Sequence, residues 1–398
     1  MQIDWLIIGG GIHGVHIAAR LIGEGNVAPS RLRIVDPGER LLERWRTCTA
    51  MTGMTHLRSP SVHNLDLNPW SMMRYAGRRS RYSGFFALPF NRPHLDFFND
   101  HCDKVIQDFG LNKLHICARA TTCELDCDGV TVGLSTGTEI STCNVVLAIG
   151  AGEQPLWPDW APKDDPRVHH IFDPHFDGWP TSTESVAVLG GGISAAQVAI
   201  RLVEEGHEVH MVSRHELREH QFDSEPGWLG PKLMTGFREE KNVDQRRAMI
   251  TGARHKGSLP PDVRRSLLAK INRDEIHWHQ DSVRSIDVED SGLTLHCANG
   301  DTVAVDRVLL ATGFTGRRPG GAFIDELVES ASLPCASCGY PIVDKTLRWH
   351  PRVYVSGPLA ELELGPTSRN ISGARRAAER LVAAARTGEF SEGRHAHR

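Results

Sequence analysis

A chain of 398 residues has room for two or three domains and an ample buried core. Its 45 Lys and Arg against 49 Asp and Glu leave no charge footprint for nucleic acid or an anionic membrane surface. No apolar run approaches the length of a membrane span, and nine scattered cysteines read as free thiols of a reducing compartment. The first strand begins at about Ile3, so no leader is expected and the chain reads as cytoplasmic.

In chain order, the apolar run Trp5 to Ile8 stops at GGGIHG (9–14), and a helical pattern follows at once. Gly9, Gly11 and Gly14 fit G-x-G-x-x-G: a tight turn, a close backbone approach for a pyrophosphate, and close packing of helix on strand. The helix N-terminus offers free N–H groups and the positive end of its dipole to phosphates. At that end a protonated imidazole is disfavoured, so His13 is expected to be a neutral neighbour of the pyrophosphate. A second apolar run, Arg33 to Val35, ends at Asp36, 22 positions after Gly14, where a carboxylate can accept ribose hydroxyls.

Residues 37–93 show no sustained period, and a stretch this long without regular structure is usually functional. It contains MTHLRSP (54–60) and the basic cluster Arg74, Arg78, Arg79 and Arg81. The cluster reads either as a solvated surface or as a steering patch for an acidic substrate or NADPH. A helix is expected from His94, with Leu95, Phe98, Cys102, Val105, Ile106 and Phe109 on one face and Gly110 at its end. Short strands follow at 114–118, 121–125, 130–134 and 144–147, the last running into Gly150.

After a proline-rich linker (153–182) the opening motif returns. A shift of 181 positions aligns Gly9 with Gly190, Gly11 with Gly192 and Gly14 with Ala195, an internal repeat of one strand–helix–strand unit. G-x-G-x-x-A is a known variant of the fingerprint. The next strand, Glu208 to Val212, ends in Ser213-Arg214 where the first copy has its acid. A hydroxyl and a guanidinium suit a 2′-phosphate, so this copy favours NADP(H), the alternative being a solvated strand end. Residues 215–275 are polar and partly helical, with a helix at 262–271; strands are expected at 283–288, 293–297 and 302–305. The strand Val308 to Ala311 closes on Gly313 as Val145 to Leu147 closes on Gly150. A strand at 353–355 and a helix at 370–385 finish the fold, and 387–398 read as disordered.

Two fingerprints, LAIGAG (147–152), LLATGF (309–314) and VYVSGP (353–358) make the chain resemble the flavoproteins with two dinucleotide-binding domains. The fold this resemblance implies is α/β: two Rossmann-like domains, with a NADP(H) domain (154–313) inserted into a split FAD domain (1–153 and 314–398). Gly357 and the helix start near Asn370 are then expected at the flavin, although Pro358 stands where the group usually has Asp. Within the group the chain resembles flavin-dependent monooxygenases near the lysine and ornithine N-hydroxylases. It has a single Cys48 and no C-x-x-x-x-C in the first domain, and RVHHIFDPHF (167–176) is similar to a linker of those enzymes, with Ile171 in place of a serine. MTHLRSP lies where they place residues against the flavin, which makes His56 and Arg58 candidates beside it; Arg58 reads equally well as an ordinary loop arginine.

The resemblance implies an oxidoreductase that uses FAD and NADPH. Hydride passes to FAD, reduced flavin captures oxygen as a C4a-hydroperoxide, and a small nucleophile such as an amine takes the distal oxygen. Expected partners are a small-molecule substrate and molecular oxygen, with no nucleic acid or membrane and a homo-oligomer left open. Two alternatives stand: a pyridine-nucleotide reductase using Cys335 and Cys338, and a non-catalytic dinucleotide sensor. The C-x-x-C at 335–338 reads best as two loop thiols, because zinc would need two more ligands and no second pair exists. No metal ligands are expected.

Overall fold

The computed structural model describes residues 3–77 and 84–386. Arg78, Arg79 and Arg81 of the basic cluster and the 387–398 tail lie outside the described residues. Two sheets organise the chain, one with a parallel centre and antiparallel additions and one parallel throughout. The first has eight strands, with its main path in the order Arg348–His350, Val353–Val355, Glu139–Leu147, Ile3–Ile8, Leu32–Asp36 and His115–Cys117. Ala120–Leu125 and Val130–Leu134 meander antiparallel onto Glu139–Leu147. The second sheet is parallel throughout, in the order Ile276–His279, Glu208–Val212, Ser185–Leu189, Arg307–Leu310 and Val168–His170.

The strands are continuous hydrophobic runs because both faces of a parallel sheet are covered. Successive side chains point to opposite faces, so Trp5 and Ile7 enter one core while Leu6 and Ile8 enter another. In the second sheet Val186 and Val188 face one core, and Ala187 and Leu189 the other. The helix Ile12–Gly23 is buried from Gly14 to Leu21. It packs in one core with the closing helix Ile371–Arg386, which supplies Ala378, Leu381 and Val382. The helix Ile193–Glu204 takes the matching place on the second sheet.

The first sheet thus draws strands from both ends of the chain and the second only from the middle. The two crossings between them run side by side: Pro155 bridges Phe314, and Leu156 N–H donates to Gly313 O at 2.9 Å. Arginines stitch the halves together. Arg44 donates to the carbonyls of Gly152 and Phe172, and Arg201 to those of Ala50 and Met51. Buried Arg92 pairs with Asp262 at 2.6 Å.

The aperiodic stretch 37–93 contains two short helices, Glu43–Met51 and Ser71–Ala76. The expected strand at 144–147 begins earlier, at Glu139, where its edge pairs with the meander. The expected helix at 94–109 spans Leu95–Asp108, with the His94 side chain accepting from Asp96 N–H. Within the partly helical 215–275 stretch the structure places the helices Pro231–Glu239 and Val243–Ala253, and Gly321–Ser330 is a helix the sequence reading did not place. No helix among the described residues is long and apolar enough to cross a membrane.

Candidate functional site

Both glycine turns are built alike. Gly9 has φ +113° and Gly190 φ +147°, backbone that L side chains rarely adopt. A Cβ on Gly9 would lie 2.6 Å from Ala148 O, and one on Gly190 2.5 Å from Ala311 O. Each turn is therefore pressed against the strand that ends in the matching A-x-G turn. At Gly14 a Cβ would run into the Gly9 carbonyl, and Ala195, buried in the second copy, fills the equivalent space. Around Gly11, by contrast, a Cβ would meet nothing within 4 Å. That open cradle at a helix N-terminus is what a pyrophosphate requires.

Asp36 sits beside this cradle. One carboxylate oxygen accepts from Gly10 N–H at 2.6 Å and the other from Gly38 N–H at 2.9 Å. Each oxygen keeps a lone pair for a ribose hydroxyl. His13 connects the turn to the C-terminal segment, its Nδ1 lying 2.8 Å from Ser356 Oγ. Burial pushes the His13 pKa down to about 4, so the imidazole is neutral, as expected from its place at the helix start. Gly357, with φ +63°, stacks next to His13, and its carbonyl accepts from Ser368 Oγ at 2.6 Å. Pro358 is buried in the same turn. Asn370 opens the closing helix, accepting from Ala374 N–H, but its side-chain amide donates to Asp223 Oδ1 at 3.1 Å. Gly150 is exposed at the end of its strand, and Gly313, with φ +84°, holds the crossing to Leu156.

At the second turn Ser213 points inward. Its hydroxyl donates to His215 O at 2.9 Å and accepts from Trp278 Nε1 at 3.0 Å. Arg214 is exposed and makes no hydrogen bond or ion pair with any described residue. Two residues that the sequence did not single out cover this turn. A Cβ on Gly191 would lie 2.6 Å from the His215 ring, and one on Gly257 2.5 Å from it. Only Gly257, in a short His-Lys-Gly turn, carried a local signal.

Among the described residues no hydrogen bond runs from His56 or Arg58 to either glycine turn. Arg58 spans to the inserted part of the chain, donating to Gln221 O at 2.8 Å, His220 O at 2.6 Å and Ser258 Oγ at 2.8 Å. Burial lowers its pKa to about 10. His56 packs edge-on against His94, ring centroids 5.1 Å apart, and burial lowers its pKa. In the linker, His170 is buried with its Nδ1 accepting from Phe172 N–H. Cys335 and Cys338 are half-buried in a loop closed by the Cys335–Pro341 bridge, and burial raises the Cys335 thiol, which disfavours the reactive thiolate.

Nearby, buried Glu361 gathers Arg247, Arg254 and Arg369. Arg369 also donates to Tyr340 Oη at 2.9 Å, and Arg247 lies 4.1 Å over the Tyr340 ring. This network clamps the C-terminal segment to the helix Val243–Ala253.

The profile of the family described as pyridine nucleotide-disulphide oxidoreductase matches residues 3–388. Among curated proteins none matches the sequence. An ornithine hydroxylase from Pseudomonas aeruginosa has a similar structure, with TM-score 0.78 at 18% identity, covering 97% of this chain and 99% of that one. The Kutzneria sp. 744 ornithine N-hydroxylase, solved with reduced FAD, NADP+ and L-ornithine, gives the same TM-score, identity and coverage. L-lysine 6-monooxygenase from Pseudomonas syringae follows at 0.73 and 19%, with 97% and 99% covered. At such identities the likeness speaks to the fold, and it agrees with two dinucleotide-type units. The profile covers nearly the whole chain, which therefore belongs to the pyridine nucleotide-disulphide oxidoreductase family and is an oxidoreductase.

Proposed function

We propose that the protein is an FAD-dependent, NADPH-using monooxygenase that oxygenates a small nucleophile, with N-hydroxylation of an amine as the leading case. One observation carries the reading: two glycine turns of the same build share one molecule, one beside a carboxylate and the other beside a free guanidinium. Asp36 with Gly9, Gly11 and Gly14 suits the FAD ribose and pyrophosphate. Arg214 with Gly190, Gly192 and Ala195 suits the 2′-phosphate of NADPH. The FAD unit is then 1–153 with 314–398, and the NADP(H) unit 154–313.

Bound together, FAD and NADPH supply hydride transfer and oxygen activation. The protein's own groups hold and shield. The N–H groups that open the helix Ile12–Gly23 neutralise phosphate charge. Neutral His13 holds Ser356, and so the Gly357 turn, against the first cradle without adding a charge. Arg58 keeps the 220–221 backbone and the Ser258 hydroxyl docked on the FAD unit, which makes it a positioning residue. The arginine clamp on Glu361 ties the C-terminal segment to the helix Val243–Ala253.

The test is the absorbance spectrum of purified protein, then NADPH oxidation, oxygen uptake and peroxide release with and without ornithine, lysine and other amines. Yellow protein with amine-dependent oxygen uptake is expected. A colourless protein that FAD cannot reconstitute would end the proposal. Oxidation driven by a disulfide instead of oxygen would make it a reductase, and binding without turnover a sensor.

A further inference from the structure

We infer that His220, Glu225 and His255 form a binding site for a divalent transition-metal cation of the Zn2+ class. The three residues come from two separate loops, and their ligand atoms lie within 4.8 Å of one another. His255 Nε2 is 3.6 Å from Glu225 Oε1, and the two imidazole centroids are 3.7 Å apart at 88°.

Three features distinguish this group from a chance meeting of polar side chains. The first is that nothing else occupies it. No hydrogen bond reaches either imidazole or the Glu225 carboxylate among the described residues, and His255 Nδ1 is buried without a partner. The 3.6 Å gap is too long for a hydrogen bond. The three side chains therefore meet without a hydrogen bond to hold them together, and a bound cation would supply that link.

The second feature is a backbone already fixed. His220 N–H donates to Leu259 O at 2.9 Å, His255 N–H to Asp223 O at 2.8 Å and Trp228 N–H to Glu225 O at 3.0 Å. Arg218 and Glu219 pair with Ser258 and Leu259, and Ser224 bridges Arg254. Arg58 grips the His220 carbonyl from the other half of the molecule. His220 and Glu225 are exposed, so their tips are free to close the remaining gap.

The third is ligand chemistry. Two imidazoles and one carboxylate suit Zn2+ or a neighbouring first-row ion, not Mg2+ or Ca2+, which take oxygen ligands. Zinc bonds of about 2.0–2.1 Å in a tetrahedron put ligand atoms roughly 3.3 Å apart, close to the 3.6 Å already present. Three protein ligands leave a fourth position for water. The charges facing the group are Arg58 and Asp223. Arg58 is spent on carbonyls, and Asp223 holds Asn370, so the cation would tie the 220–225 loop to the start of the closing helix.

The test uses the full chain, stripped with a chelator and then titrated with Zn2+ against a chromophoric competitor, with metal content measured after dialysis. One equivalent is expected, uncompeted by Mg2+ or Ca2+. His220→Ala, His255→Ala and Glu225→Gln should each weaken it at least tenfold. Glu225→Gln changes an exposed side chain, and an unchanged thermal midpoint of the metal-free variant separates lost binding from lost folding. His210→Ala with His279→Ala, and His395→Ala with His397→Ala, should leave the equivalent in place. Absence of the equivalent, its survival in the three ligand variants, or its loss with either control pair would overturn the site.

Discussion

Gly14 leaves no room for a side chain, because a Cβ there would overlap the Gly9 carbonyl; Gly11 has open space at the same turn. The two positions separate folding from binding. Gly14→Ala is expected to lower stability by about 1–3 kcal/mol through overpacking, seen as a fall in the thermal midpoint. Gly11→Ala should keep the midpoint of the flavin-free protein but carry less flavin, read from the flavin-to-protein absorbance ratio. At the second turn, Arg214→Ala should raise the KM for NADPH by roughly 10- to 100-fold, the value of a charge-assisted hydrogen bond of about 1.5–3 kcal/mol. The KM for NADH should stay put. Ser213→Ala should shift neither, since its hydroxyl serves His215 and Trp278; an NADPH-specific loss there would mean that the hydroxyl reaches the phosphate. Asp36, Arg214 and the glycines were legible because each sits at a set place in one strand–turn–helix–strand unit. The inward turn of Ser213 was not, since Trp278 comes from a different strand.

At the scale of elements, caps and periodicity decided what could be read. The helix Leu95–Asp108 announces itself through Pro93, an N-cap at His94 and a regular apolar face. The helix Gly321–Ser330 starts after Gly320 with no side-chain cap, so only the spacing of Phe323, Ile324, Leu327 and Val328 marks it. The helix Val243–Ala253 has Ile250 as its one buried residue; its place comes from Arg246 and Arg247 reaching the C-terminal segment. Glu361, on the short helix Glu361–Leu364, is the centre of that clamp. Glu361→Gln would leave buried guanidiniums without their counter-charge. A loss of about 3–5 kcal/mol is expected, measured as a shift in the urea midpoint. A shift under 1 kcal/mol would show that solvent, not Glu361, satisfies the arginines.

Across the whole molecule, buried histidines set the response to acid. Burial holds the His13 pKa at about 4 and the His16 pKa at about 3, against 6.5 when unfolded. The unfolded chain then binds protons that the folded one refuses, so stability is full above pH 6.5 and declines as pH falls through that value towards 4. For His13 alone the full loss is about 3 kcal/mol. Urea midpoints should be flat from pH 8 to 7 and fall between pH 6 and 5, above the range where carboxylates titrate. His13→Asn should make that fall shallower. A flat profile to pH 5 would show that these imidazoles are open to water.

The sequence by itself determined the two strand–turn–helix units, the strands that continue their sheets and the carboxylate and guanidinium that end them. These are local: a glycine turn, its helix and its strand lie within about thirty residues and obey short-range sterics and hydrogen bonding. Only the tertiary structure decided which way Arg58 points, that Asn370 holds Asp223, that Glu361 carries an arginine clamp, and that His220, Glu225 and His255 meet. Most of those pairings join residues more than a hundred positions apart, and the rest depend on how loops pack once the two sheets have docked. No periodicity or motif encodes such contacts, because their energy exists only after the distant segments have been brought together.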